Sequence, residues 1–209
     1  MEILAMKTWS NESRLDKLTV EMSGNVLIFQ APLERAEVHL DLDIGDIEKV
    51  IFSTEGGTLI DENHSFQKIT EATIGKDEAH CIVVGEGQNE TRDVVHFLKP
   101  GGPAPTMRLG ITHHRGLGTW SSLPHDFELN TEPGFEEVFF YILKNGTQKA
   151  VQVGRGMWHD GEEVDGVWPV SNETFGTVPM GYHPVVGEPG VHVSYVWAYL
   201  AKHKRWEKI

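Results

Sequence analysis

Val138-Phe139-Phe140-Tyr141-Ile142-Leu143, followed at once by Lys144-Asn145-Gly146-Thr147, decides how this chain folds. Every residue of the first run is apolar or aromatic, as expected of a strand covered on both faces. The Asn-Gly step that follows is the strongest short hairpin signal, because both central residues of a type I′ turn need positive φ. Gln148 to Val153 is therefore expected to return as the next strand. Upstream, Ala36, Val38, Leu40, Leu42 and Ile44 alternate with Glu37, His39, Asp41 and Asp43, which gives one face to a core and the other to water. Downstream, Asp160-Gly161 marks a second turn and Val191 to Leu200 a long final strand. Helix signals are confined to Ser10–Met22, where Leu15, Leu18 and Met22 have the spacing of a short amphipathic helix.

Many short strands between turn clusters predict an all-β protein, a barrel or a sandwich. The 22 glycines and 10 prolines are scattered without a period, which agrees. Lys99-Pro100-Gly101-Gly102-Pro103-Ala104-Pro105 cannot form a regular central strand. It is expected to be the loop between an N-terminal half (1–98) and a C-terminal half (106–209).

A formal net charge of −13 over 209 residues excludes broad binding of nucleic acid or anionic membranes, which needs clustered Lys and Arg. A small anionic substrate in a local pocket is compatible with that charge. Cys81 is the only cysteine, so neither an internal disulfide nor a thiolate zinc site is available, and its apolar surroundings predict a buried, inert thiol. The first residues do not read as a secretory signal, and no run is long and apolar enough to span a bilayer. A soluble, cytoplasmic protein is expected. The sequons at Asn89 and Asn145 are then turn chemistry.

Chemistry-bearing residues concentrate between Gly118 and Val186. On a barrel, His125, Glu137 and His183 can converge at one mouth, supplying two imidazole nitrogens and a carboxylate. That set suits a divalent first-row metal with positions left open for substrate oxygens. Glu137 precedes a thoroughly apolar strand, where an unpaired carboxylate would be costly and a cation partner is natural. Of His113-His114 only one is a site candidate, since neighbours on a strand face opposite sides. The hydroxyls of Tyr141 and Tyr182 are candidates for substrate contact, and Arg108, Arg115 and Arg155 for gripping a carboxylate through a planar fork.

The order of these motifs resembles the second cupin unit of the KduI/IolB family of cupin sugar isomerases, which includes 5-deoxy-glucuronate isomerase and 4-deoxy-5-ketouronate isomerase. Thr119-Trp120-Ser121-Ser122, Glu136-Glu137 and Pro179-Met180-Gly181-Tyr182-His183-Pro184 carry the resemblance. Gly85-Glu86-Gly87 with Arg92-Asp93-Val94 looks like the lead-in to that family's second half. The resemblance implies a cupin-type jelly-roll β-barrel, complete in the C-terminal unit, with a shortened or degenerate N-terminal cupin-like half. It implies His125, Glu137 and His183 as ligands of a divalent metal (zinc, manganese or iron).

Where the family has His-x-His, this chain has a single histidine in Leu123-Pro124-His125-Asp126-Phe127-Glu128. Matching His-Asp puts Leu123 at the first ligand position; matching Pro-His puts Phe127 at the second. Glu128 or His114 is a candidate for the gap. The activity implied is a metal-dependent aldose–ketose isomerisation of a uronate-like or deoxy-sugar acid, of the kind used in inositol and pectin breakdown. Glu128, His159 or Tyr182 would be the catalytic base. A non-haem cupin oxygenase and a non-catalytic sugar- or metal-binding cupin are the alternatives. A homodimer is expected from the Trp- and Tyr-rich final strand, taken as half-covered.

Overall fold

The structure is a computed structural model; it describes residues 18–54, 59–60, 66–67, 71–87, 90–117, 120–121, 136–157 and 162–200. Its first sheet is antiparallel, with β1 (Thr19–Ser23), β2 (Val26–Gln30), β3 (Glu34–Asp41), β4 (Asp46–Thr54) and β7 (Glu71–Gly75) paired in that order. β5 (Leu59–Ile60) and β6 (Phe66–Gln67) form a separate two-stranded ladder.

The larger sheet contains β8 (His80–Val84), β9 (Arg92–Leu98), β10 (Met107–Leu117), β11 (Trp120–Ser121) and β12 (Glu136–Lys144). β13 (Lys149–Met157), β14 (Glu163–Ser171), β15 (Thr174–Tyr182), β16 (Val185–Gly187) and β17 (His192–Leu200) complete it. Its order is β11-β16-β13-β15-β12-β17-β10-β9-β8, with β14 on β13. Among the described residues the only helical element is a 3-10 turn at Lys76–Glu78, and the described part of the chain is nearly all-β, as expected. No described helix is long and apolar enough to cross a membrane.

β12 explains the architecture. Val138, Phe140 and Ile142 enter one core with Leu27, Phe29, Val38, Val50 and Phe52 of the first sheet. Phe139, Tyr141 and Leu143 enter a second core with Ala150, Val170, Val185 and Val193. A strand with a core on each face has no position left for a polar residue, which is why its run is unbroken. Each of its fully buried large side chains contributes on the order of 2–3 kcal/mol of transfer free energy.

The turn after β12 has the expected backbone, with Asn145 at φ 63° and Gly146 at φ 49°. It does not make a hairpin, however. Both edges of β12 are taken, by β15 and β17, and β13 pairs with β14, β15 and β16 instead. Gln148, at φ 53°, adds a third left-handed residue, and the turn carries the chain to another part of the sheet.

Four further expectations need correction. β3 alternates as read, burying Glu34, Ala36, Val38 and Leu40, but it stops at Asp41. There the carboxylate accepts the N–H groups of Asp43 and Ile44, turning the chain and leaving Ile44 67% exposed. Residues 19–22 belong to β1 rather than to a helix; the rest of that helix, residues 10–17, lies outside the described residues, as does the Asp160-Gly161 turn. Cys81 is exposed, because β8 is the last strand of its sheet and nothing described covers it; Val83 beside it is 56% exposed. β17 is a central strand between β10 and β12, so it is not a half-covered strand, and its Tyr195 and Trp197 rings are buried.

The loop at 99–105 is irregular as expected, but β9 before it pairs with β10 after it, and β8 pairs with β9 in the same sheet. Two clamps hold its exit. Arg108, 1% exposed, donates to the carbonyl oxygens of Ala104, Pro105 and Met107. The Glu34 carboxylate accepts from the N–H and hydroxyl of Thr106 and from the N–H of Met107. A third link ties the two sheets. His113 Nε2 lies 3.2 Å from Asp46 Oδ1 and Nδ1 lies 2.9 Å from Ser194 Oγ, while Lys76 binds the other Asp46 oxygen. Although burial opposes it, the hydrogen bonds from His113 and Lys76 hold the Asp46 carboxyl well below the usual carboxylate range.

Candidate functional site

The inner face of β10, β17 and β12 is laid out in rows by the ladder register. Arg108, Tyr199 and Glu137 stand side by side; Gly110, Trp197 and Phe139 form the next row; Thr112, Tyr195 and Tyr141 the third. Directly opposed residues on neighbouring strands share a face, so the rows make one continuous wall of aromatic rings ending in a carboxylate. Phe139 stacks on Tyr195 with ring centroids 4.5 Å apart, and Trp197 Nε1 donates to Thr112 Oγ1 at 3.1 Å. Gly110 has no substitute there: a Cβ would sit 2.5 Å from the Trp197 ring and 2.3 Å from the Val95 carbonyl oxygen.

His183 follows β15 and reaches the same face. Its Nε2 lies 3.4 Å from Glu137 Oε2, with both side chains buried, and its ring sits edge-on to Phe139 at 5.7 Å. Gln152 on β13 sets the corner that aims it. The Gln152 amide donates to the carbonyl oxygens of His183 and Pro184 and accepts the Tyr141 hydroxyl at 2.8 Å. Tyr141 is thereby committed to holding the corner.

Burial lifts the Tyr199 phenol well above its ordinary range, and the charge of Glu137 adds to that. Burial also lowers Arg108. His96, on β9 across from Gly110, presents its ring to the Trp197 edge at 5.3 Å. Burial first, then the charges of His80 and Lys99, push it down to about 4. The sign of its linkage follows. The unfolded chain takes up a proton on this imidazole near 6.5 and the folded one only near 4, so stability present above 6.5 is lost as pH falls through that window. The loss is on the order of 3 kcal/mol. Denaturant unfolding of His96→Gln against the parent between pH 7 and pH 4 should show a flatter profile in the variant.

Of the residues singled out by sequence, Glu137 and His183 are brought together. His114 is buried on the same inner face, its ring 6.0 Å from Tyr195. Tyr182 ends β15, half-buried and paired in register with Arg155. His125, Glu128 and His159 lie outside the described residues. Arg115 binds Asp93 through Nε and Nη2, and Arg155 binds Asp165, both at the surface. Among the described residues no group of three or more His, Cys, Asp or Glu gathers as a metal-binding cluster. The arrangement is a two-donor pair on an aromatic wall.

Sequence reasoning missed Gln152, Tyr199 and His96. Gln152 had a signal, a polar residue on the strand face it shares with the small residues Ala150 and Gly154, both buried. Tyr199 had none, because its place depends on pairing with a strand some sixty residues earlier.

The model of the KduI/IolB family matches residues 45–209. A 5-deoxy-glucuronate isomerase of Halalkalibacterium halodurans is 33% identical over 124 residues, covering 58% of this chain and 44% of the relative. One of Bacillus subtilis strain 168 is 31% identical over 127 residues, covering 58% and 45%. The chain thus matches less than half the length of these curated relatives. Among solved structures, an IolB-like protein from Salmonella typhimurium LT2 aligns with a TM-score of 0.57 at 19% identity, over 90% of this chain and 73% of that one, a likeness of fold. With a family match over most of its length and a fold of the same kind, the chain belongs to the KduI/IolB family.

Proposed function

We propose that the protein is a metal-dependent aldose–ketose isomerase acting on a uronate-like or deoxy-sugar acid of the 5-deoxy-glucuronate type. The observation that carries this reading is the buried Glu137–His183 pair at the end of the aromatic wall. Imidazole nitrogen and carboxylate oxygen are the donors that zinc, manganese and iron accept. Their 3.4 Å separation suits neighbouring ligands on one ion, since donors about 2.1 Å from a tetrahedral centre lie about 3.4 Å apart. The residues present therefore fit the group, with His125 as the third ligand.

When bound, a divalent ion supplies the positive charge that polarises a sugar carbonyl. The chain does the rest. Glu137 and His183 hold their donor atoms fixed, His183 through the Gln152 corner. Phe139, Tyr195 and Trp197 exclude water, which strengthens every charge interaction beside them. Glu128, His159 and the Tyr182 hydroxyl are the proposed groups for moving a proton between adjacent sugar carbons. With this reading go a cupin-type jelly-roll barrel for residues 106–209, a degenerate cupin-like half for 1–98, a homodimer and a cytoplasmic location.

The test is isomerisation of 5-deoxy-glucuronate by the purified full chain, before and after chelation and after return of zinc, manganese or iron. Turnover should vanish with the metal and return with one of the three. Glu137→Gln should lower turnover at least about 100-fold, as removal of a group acting at the reacting centre does. Turnover indifferent to both chelation and Glu137→Gln would overturn the reading.

A further inference from the structure

We propose that Tyr199 is a positioning residue that aims the Glu137 carboxylate at His183 and at the ion the pair would hold. The inference rests on the reading of Glu137 and His183 as metal donors.

The register places Tyr199 between two charged residues. On β17 it stands opposite Arg108 of β10 on one side and opposite Glu137 of β12 on the other. Directly opposed residues of neighbouring antiparallel strands have Cβ atoms roughly 5 Å apart on a common face, within reach of long side chains. The ring is also held in plane, stacked on Trp197 with centroids 6.1 Å apart and an interplanar angle of 23°.

The chemistry of the row singles it out. The rows below it are built on the rings of Trp197 and Phe139, and of Tyr195 and Tyr141. Only this one carries a cation, a phenol and a carboxylate in line, and the carboxylate is the one facing His183. The Arg108 guanidinium is anchored on the carbonyls of Ala104, Pro105 and Met107. A neutral phenol between them is the donor that can fix a carboxylate without neutralising it. Second partners of this kind orient ligand carboxylates, and their loss typically costs 10- to 100-fold in metal affinity.

A ring that merely fills space would be replaced without effect by Phe, which keeps its shape. The experiment is calorimetric titration of the chelator-stripped full chain with zinc chloride, for the parent, Tyr199→Phe and Glu137→Gln, beside thermal unfolding of each metal-free protein. Tyr199→Phe should weaken zinc binding about 10-fold or more while the metal-free melting temperature stays within about 2 °C of the parent. Parent-like zinc affinity in Tyr199→Phe, with binding lost in Glu137→Gln, would overturn the positioning role and leave the ligand reading standing. Parent-like affinity in Glu137→Gln would overturn the ligand reading itself, and this inference with it.

Discussion

Replacing Glu34 with Ala should lower the free energy of unfolding by about 3–4 kcal/mol, as expected for loss of a charged acceptor that leaves buried donors unmet. Glu34 opens β3 in the first sheet, is 2% exposed, and accepts three hydrogen bonds from Thr106 and Met107 at the start of β10. Truncation would leave the Met107 N–H buried without its acceptor, together with a cavity where the carboxylate had been. An unmet buried donor alone costs about 1–3 kcal/mol. Against a total stability of about 5–15 kcal/mol this is a large fraction, worth roughly 10 °C in melting temperature for a chain of this size. Glu34→Gln should fall between parent and Ala, because its amide keeps one acceptor but turns an NH2 toward the donors. Denaturant unfolding reads both; a change below about 1 kcal/mol in Glu34→Ala would show that this clamp is dispensable.

Gly110→Ala should be nearly as damaging, at about 3 kcal/mol, at the upper end for overpacking a core. The added methyl meets the Val95 carbonyl oxygen at 2.3 Å and the Trp197 ring at 2.5 Å. The carbonyl belongs to the β9–β10 ladder and cannot move away without loosening it, and Trp197 is wedged between His96 and Tyr199. Urea unfolding with tryptophan emission as the probe measures the effect. Parent-like stability would mean that the ladder has slack at its Leu109/Gly110 irregularity.

The contrast between these residues and those legible in the sequence is physical. The run from Val138 to Leu143 shows its two-sided burial in its own composition, and β3 shows its buried face in its own alternation. Glu137 and His183 stood out because each lies in a short motif. The Asn145-Gly146 backbone was also readable, since positive φ is a local property. Which strand that turn leads to was not, because pairing is decided by which edges remain open after β15 and β17 have docked. Cys81 shows the same limit. Its neighbours are apolar, but burial depends on whether another strand covers β8, and none described does. Gly110, Glu34 and Tyr199 owe their importance to partners far along the chain, and no local pattern records a partner.

The pairing of β9 with β10 across the loop at 99–105 gives the molecule a seam where its covalent continuity matters least. Two peptides parted within that loop would still present each other with a complete ladder, the Glu34 clamp and a shared apolar core. The chain therefore resembles a protein assembled from two interlocking pieces. Such a piece, made alone, is half of a complementing pair rather than a small domain, with the bare edge of β10 seeking the strand it lacks.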